Sequence, residues 1–546
     1  MEVFHVLLYV AAVATILVLL LQRYKRWSTK YSRFSTLLDS IPGPFPLPVV
    51  GNAIGFILRP ENQYLDEISG IVKLHSPIFR LWNGPLVGTV HLTSWKYAEK
   101  IFNSSTHIEK NLFYKFLFPW IGTGLLTSKG EKWHFRRKLL TPAFHRTVLE
   151  SYQDIVCEKS AQLVKILRSK IQDKQPFNIA PMIWQCSLDI ICETAMGTKM
   201  NIQAKLEEKD VAYLAAVEEY VVLHSMSSSY FTTLIVEIYF EMCTLCFSAS
   251  EIFSKRSVRP WLHPEIIFDL SPMGRRFKQC VKMLHNFTDK VIQVRKSEYF
   301  KSYHSKINNG KNENEKKRES FLDLLIETAY SEGPDQKPIL SDRDIREEVD
   351  TFMFEGHDTT ASAISWAVYL LGRHPEIQVE QVYQEIQDVL GNQMEITPQK
   401  LSEMKLLERC MKESLRLYPS VPFIGRKLRQ DVTLGEYTIP SDTEVCILIY
   451  FLHRDPDIFP DPENFNPDNF LPEVCEKRPP YAYVPFSAGA RNCIGQKFAQ
   501  LEEKIVLCHI IKNFRIEAVD DPKDLKYLVG LIIRSYNGIN VRLHPR

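Results

Sequence analysis

The chain opens on an uninterrupted apolar run, Val3 to Leu21 (VFHVLLYVAAVATILVLLL), without a single charge. A helix needs about 20 such residues to cross the hydrocarbon of a bilayer, so the run predicts one membrane-spanning helix. Arg23, Lys25, Arg26, Lys30 and Arg33 follow it, while only Glu2 is charged before it. The positive-inside bias then places the rest of the chain in the cytosol, with Tyr24 and Trp27 suited to the interface. Ala12-Val13-Ala14 imitates a leader cleavage site, but the apolar run continues past it and the basic cluster lies on the wrong side. Ile41 to Pro48 (IPGPFPLP) is too proline-rich for helix and reads as a stiff strut. The expected organisation is an anchor over 1–22, a basic flank and strut over 23–50, and one large folded body over 51–546.

Within the body, Pro77–His91 sets turn residues between β-prone runs and predicts a small sheet. Apolar spacings of three and four mark helices over 145–172, 276–300, 343–371, 375–391 and 400–418, and the pattern resumes over Gln496–Ile511. The fold class expected is therefore mainly α with small β-sheets, and no repeat of 20 to 50 residues interrupts it. Lys301–Arg318 is nearly free of apolar anchors and predicts an exposed loop. Tyr230–Phe247 is unusually apolar yet carries Glu237 and Glu241, which makes it a poor second membrane span.

Composition adds exclusions. Apolar residues make up 45% and charged residues 24%, ordinary globular usage that rules out general disorder. A formal net charge of +2 argues against nucleic acid as a partner, which needs a concentrated basic field. Eleven scattered cysteines form no regular framework and suit a reducing compartment. Cys243 and Cys246 make a lone CxxC with no second pair at zinc spacing. One cysteine, Cys493, has distinctive surroundings.

Phe486-Ser487-Ala488-Gly489-Ala490-Arg491-Asn492-Cys493-Ile494-Gly495 satisfies FxxGxRxCxG at every fixed position, a chance event on the order of one in ten thousand for this length. Gly489 and Gly495 would let the cysteine-bearing loop turn tightly. The helical pattern after Gln496 puts the sulfur near a helix amino end, where the dipole favours negative charge. With this segment the chain resembles the cytochrome P450 superfamily. The resemblance implies the fold of that family preceded by one membrane helix, haem b in a site that includes Phe486, Gly489, Arg491 and Cys493, and Cys493 as the thiolate ligand of its iron. Thiolate donation pushes electron density onto iron and favours O–O cleavage.

Three further motifs match the same family in order. Glu413-Ser414-Leu415-Arg416 places a carboxylate and a guanidinium on one helix face and resembles the family's buried structural pair. That pair is usually completed by an arginine in a later segment, here Phe465–Phe470, where Asn469 stands instead and can offer a hydrogen bond but no charge. Trp133 and Arg137 are four apart and share a face; they resemble the family's contact to a haem propionate. Lys132, Arg136 and Lys138 around them read as a basic surface that could meet an acidic electron donor. Arg426 resembles a further propionate arginine, and Arg491 is expected to pair with a propionate by charge-assisted hydrogen bonds.

Ile345–Leu371 reads as one long helix opened by Ser341 with Asp344 three residues on, a capping-box start. Its middle, Phe354-Glu355-Gly356-His357-Asp358-Thr359-Thr360, places glycine where it costs roughly 1 kcal/mol against alanine, which points to a site. Monooxygenation consumes two protons, and the resemblance assigns Asp358 and Thr359 as the acid and alcohol that pass them on. Glu355 in the form Glu-Gly-His-Asp-Thr-Thr is similar to the fatty-acid ω-hydroxylase branch, family 4, where this glutamate can be ester-linked to a haem methyl. The likeness runs from the proline strut to the carboxyl end and includes Tyr114–Leu117, Pro119-Trp120 and Tyr481–Phe486. Only the apolar stretch near 225–253 looks longer than in that branch; it reads as a membrane-dipping lid, as extra core, or as an error in the sequence.

The function implied is oxygen- and NADPH-dependent hydroxylation of long apolar substrates, fatty acids at or near the ω carbon, in the endoplasmic reticulum membrane with the catalytic body facing the cytosol. The chain carries no flavin or dinucleotide motif of its own, so the resemblance implies NADPH-cytochrome P450 reductase as electron donor, with cytochrome b5 as a second candidate. The rival readings are oxidation of xenobiotics, insecticides or hormones, a haem-thiolate isomerase or dehydratase, which would not need the acid–alcohol pair, and a non-catalytic haem carrier or sensor.

Overall fold

The computed structural model describes residues 30–173, 175–203, 234–309, 320–330, 339–392 and 394–546. The anchor Val3–Leu21 and most of its basic flank lie outside the described residues, as does the first part of the 225–253 stretch. Among the described residues no helix is long and apolar enough to cross a membrane.

The body is mainly helical. Among its helices are α1 (Gly130–Leu140), α2 (Arg146–Lys170), α3 (Ala180–Thr194), α4 (Leu234–Ser257), α5 (Pro272–Asn309), α6 (Asp342–Arg373), α7 (Lys405–Leu417) and α8 (Gln496–Asn513). The main sheet contains β1 (Ile78–Asn83), β2 (Val87–Leu92), β3 (Phe423–Lys427) and β4 (Glu444–Leu448), in the order β1-β2-β4-β3. The small sheet expected over Pro77–His91 includes its first pair, an antiparallel hairpin with Ile78 opposite Leu92. β2 and β4 run parallel and β3 and β4 antiparallel. Near the carboxyl end β5 (Tyr527–Val529) and β6 (Ile533–Ser535) form a separate two-stranded ribbon.

Helix α6 is the axis of the fold. Ser341 caps it by accepting from the Asp344 amide, and the Asp344 carboxylate returns the bond to the Ser341 amide, so the capping box forms as expected. At 32 residues it is about 48 Å long and buried for most of that length, with α3 as its most extensive neighbour. Gly356 has a packing reason: a Cβ there would lie 2.6 Å from Ile191 Cδ1 of α3.

Two expectations change. Helix α5 continues to Asn309, so the first half of the loop expected over Lys301–Arg318 is helical and the rest lies outside the described residues; a polar sequence can stay helical when an amphipathic helix already nucleates it. Arg136 is not part of a basic surface. It is 2% exposed and donates to Asp344 Oδ1 at 2.5 Å, with Glu348 at 3.5 Å, while Lys132 donates to Glu347 at 2.8 Å. Helix α1 thus turns these two cations toward α6. In α4, Leu245, Cys246, Ala249 and Ile252 are buried in the main core, which makes that part of the apolar stretch core.

A fully buried ion pair fastens the region that leads to Cys493. Glu413 and Arg416 are both 0% exposed, and Arg416 meets Glu413 through Nε (2.8 Å) and Nη2 (2.7 Å). Its remaining N–H groups donate to the carbonyls of His453, Pro462 and Asn464. Every guanidinium donor is therefore used. Glu413 also accepts from the Asn466 amide at 2.9 Å and from Asn469 Nδ2 at 3.1 Å, so Asn469 supplies the hydrogen bond anticipated for it. The Arg478 guanidinium covers the faces of Phe459 and Phe470 (both 4.7 Å) and donates to the Asn469 carbonyl. It brings a positive charge to the Glu413 neighbourhood that Asn469 itself lacks.

Removing one member of a buried ion pair leaves the other uncompensated, so Glu413→Ala is expected to cost about 3–5 kcal/mol. Asn469→Ala, which loses one hydrogen bond to a charge, is expected to cost about 2 kcal/mol. Denaturant midpoints of the two variants give the comparison. A second expectation concerns α8, where Glu502 and Glu503 are buried and both pushed up to about 8, by burial first and, for Glu503, by the charge of Glu502. Ser187 donates to Glu502 at 2.6 Å. The folded chain holds a proton on Glu502 that the unfolded chain releases above about pH 4.5, so folding stability falls as pH rises from there to about 8. Unfolding midpoints of Glu502→Gln should decline less over that interval than those of the parent.

Candidate active site

The segment 486–495 forms a tight loop before α8. The Cys493 amide donates to the Phe486 carbonyl at 2.9 Å. Gly489 has φ +68°, and a Cβ there would collide with the Phe102 carbonyl, so both its conformation and its space demand glycine. Gly495 differs from expectation: its φ is −87° and its Cβ position meets only ordinary contacts. The loop's shape does not depend on it. Gly495 caps α8, and its amide donates to the Cys493 sulfur. This bond and the helix amino end both favour a thiolate. Burial nevertheless raises the free thiol to about 11, with the Glu355 carboxylate adding to the rise. The sulfur is open to a cavity that itself lies deep in the protein.

That cavity and its open mouth together enclose about 1520 Å³ of empty space. Cys493, Arg491, Phe486, Trp133, Arg137, Glu355 and Thr359 all line it, residues that stand as far apart in sequence as 133 and 493. Arg426, Asp358 and Gly489 are not on its wall. Arg426 is buried behind it, with Nη1 on the Gly425 carbonyl at 3.0 Å. Lys110 and Tyr114 reach the wall and were not singled out as site residues by their sequence. The available signal was a lysine beside the apolar-aromatic run Leu112–Leu117.

The cations gather around the 491–493 segment. Arg491 lies 4.3 Å over the Trp133 ring and donates to the carbonyls of Ile108, Leu125 and Ser128. Arg137 donates to the Asn492 carbonyl (2.9 Å) and to its side-chain oxygen (2.8 Å). Burial, with Arg426 adding repulsion, lowers Arg491 to about 9. Lys110 is held well below the usual lysine range by burial and then by Arg426 and Arg491. A cluster whose members disfavour one another's charge fits an anionic ligand, and the two carboxylates of haem have that chemistry beside a cysteine sulfur. These residues therefore fit the cofactor that the sequence implies.

Helix α6 supplies another wall through Phe352, Phe354, Glu355, Gly356, Thr359 and Thr360. Burial raises Glu355 to about 7, with Lys110 opposing the rise. Thr359 Oγ1 donates to the Glu355 carbonyl at 2.7 Å and Thr360 Oγ1 to that of Gly356 at 3.0 Å, bonds that compete with the helix ladder. Asp358 points elsewhere: its carboxylate pairs with Arg534 of β6. Ile191, Leu125, Leu126, Leu531 and Ile532 complete an apolar lining. The Leu125 peptide joins two walls, its amide donating to Glu348 Oε2 at 3.0 Å and its carbonyl accepting from Arg491 at 3.1 Å.

Comparison with known proteins agrees with this geometry. The Cytochrome P450 family pattern matches residues 41–539. Cytochrome P450 4c3 of Drosophila melanogaster is 40% identical over 532 residues, covering 95% of this chain and 92% of its own. Cytochrome P450 4c21 of Blattella germanica is 40% identical over 514 residues, 93% of this chain and 94% of its own. Cytochrome P450 4V2 of Homo sapiens is 40% identical over 538 residues, 98% of this chain and 94% of its own. A family match over this span, joined to relatives aligned nearly end to end, establishes that the chain belongs to the cytochrome P450 family.

Proposed function

We propose that this monooxygenase hydroxylates long apolar substrates, fatty acids at or near the ω carbon, with Cys493 as the thiolate ligand of haem b. The observation that carries the reading is the cavity wall, which joins a thiol and a buried cation cluster to an apolar lining that includes Phe352, Phe354, Leu531 and Ile532. The names of the relatives, all in the 4 series, agree with the family-4 resemblance from which the substrate class is taken. Bound haem supplies oxygen activation, with electrons that reach it from a separate donor. The chain's own residues do the rest. Arg491, Arg137 and Lys110, with Trp133 beside them and Arg426 behind, would hold the propionates by charge and hydrogen bonds. Thr359 would pass protons from water toward the reacting oxygen, resupplied by Asp358. Terminal C–H bonds are stronger than their neighbours, so ω selectivity asks the apolar walls to present only the chain end.

The electron source in this reading is NADPH through its cytochrome P450 reductase, with cytochrome b5 as an auxiliary donor. The site is the cytosolic face of the endoplasmic reticulum membrane, with Val3–Leu21 as anchor. At the start of the described body Lys30 pairs with Asp442 at 2.6 Å and Arg33 with Asp431 at 2.5 Å, which ties residues 30–33 to the strand-rich part of the chain. Glu355, on the cavity wall, is the group proposed to form the ester to a haem methyl.

Reconstitution with the reductase and NADPH, followed by mass spectrometry of fatty acids of several lengths, tests the substrate class. Terminal hydroxylation is expected; NADPH consumption with no oxidised fatty acid would overturn the substrate class and leave the monooxygenase. For the ester link, acidified organic solvent should leave haem attached to the parent protein and release it unmodified from Glu355→Ala. Complete release from the parent would remove the link.

A further inference from the structure

Resting on the reading of Asp358 and Thr359 as proton-passing residues, we propose that Arg534 is a positioning residue that keeps Asp358 out of service until substrate displaces the strand carrying it. Asp358, Ser362 and Trp366 stand four apart on α6 and therefore share one face. All three grip the same two residues of β6. The Asp358 carboxylate pairs with the Arg534 guanidinium, Ser362 Oγ donates to the Ile533 carbonyl at 2.8 Å, and Trp366 Nε1 donates to it at 3.4 Å. Both members of the ion pair are buried, with side chains 5% and 8% exposed. The guanidinium also lies 5.8 Å from the Trp184 ring centre.

The direction of this pair is what matters. Thr359 is on the cavity wall, and Asp358, the residue before it, is not. A carboxylate clamped to a guanidinium has no proton to hand on, and it is aimed at β6. The residues just before the clamp, Leu531 and Ile532, are on the cavity wall. A substrate filling the cavity presses on those two side chains, and the shortest mechanical path from them leads to Ile533 and Arg534. Displacing β6 loosens Arg534 and lets Asp358 turn toward Thr359. Only protons move in this step: Asp358, once free, takes one from solvent and gives one through water to the Thr359 hydroxyl, with no electron passing through either side chain. Proton supply thus becomes conditional on an occupied pocket. This limits the wasteful reaction in which O2, NADPH and a proton yield H2O2 and NADP+ without substrate.

The holoenzyme with its reductase, given no substrate, is the system for the test. Arg534→Gln should raise NADPH-dependent peroxide formation roughly threefold or more, while Arg534→Lys should stay near the parent. In the double variant Arg534→Gln/Asp358→Asn the leak should return to that of Asp358→Asn alone. Deuterium exchange of the 531–535 amides in the ferric enzyme, without reductase, should be faster in Arg534→Gln. A preserved thiolate band in the reduced, CO-bound spectrum certifies the fold, and Arg534→Met, which keeps the stem, replaces the glutamine variant if that band is lost. An unchanged leak, a leak that persists in the double variant, or unchanged exchange overturns the proposal. If, with a fatty acid then supplied, Asp358→Asn alone leaves product formation intact, the proton-passing reading fails instead.

Discussion

The Arg416 guanidinium is the knot through which the carboxyl-terminal half of the molecule is tied. In a medium of low dielectric an arginine with one open donor would be a liability; with all of them used it becomes a rigid connector. Two of its bonds return to Glu413 on its own helix, and the others reach the carbonyls of residues 453, 462 and 464. From there the linkage is continuous. The His453 ring accepts the Val484 amide at 2.8 Å, a role open to it because burial lowers its titration to about 3 and keeps the ring neutral. Two residues on, the Phe486 carbonyl receives the Cys493 amide. The position of the sulfur is therefore set by a chain of hydrogen bonds that starts nearly eighty residues earlier.

Charge is distributed around the cavity by the same logic. A cation that serves structure is paired with carboxylates: Arg136 lies between Asp344 and Glu348. Lys110, Arg426 and Arg491 instead press on one another. Proteins tolerate such unfavourable placement where a ligand or a reaction makes use of it. The contrast between carboxylate-paired and mutually repelling cations separates scaffold from site more clearly than the identity of the residues does.

Much of this was legible in the sequence because it is local. The capping box at Ser341, the shared face of Trp133 and Arg137, the 413–416 spacing and the cysteine loop each need fewer than a dozen residues to be recognised. What could not be read was pairing across long separations. Asp358 and Arg534 are 176 residues apart, and nothing near either announces the other. The inward turn of Arg136 was hidden because its partners belong to α6, more than two hundred residues away. Lys110 escaped for the opposite reason: a single lysine beside an apolar run usually marks a surface, and only the fold brings it to the cavity. Helix α5 outran its apolar pattern because helix propagation needs less than initiation does.

The double attachment of the Leu125 peptide has a consequence for how the enzyme's substrate range can change. The loop is held through its main chain, by the Leu125 amide on Glu348 and the Leu125 carbonyl on Arg491, and every amino acid except proline carries both groups. The side chains of Leu125 and Leu126, which face the cavity, make neither bond. Exchanging them for larger or smaller apolar residues reshapes the pocket without unfastening the loop from the long helix or from the arginine beside the cysteine. In this molecule, variation in what is bound and constancy in how the loop is fastened are assigned to different atoms of the same short segment.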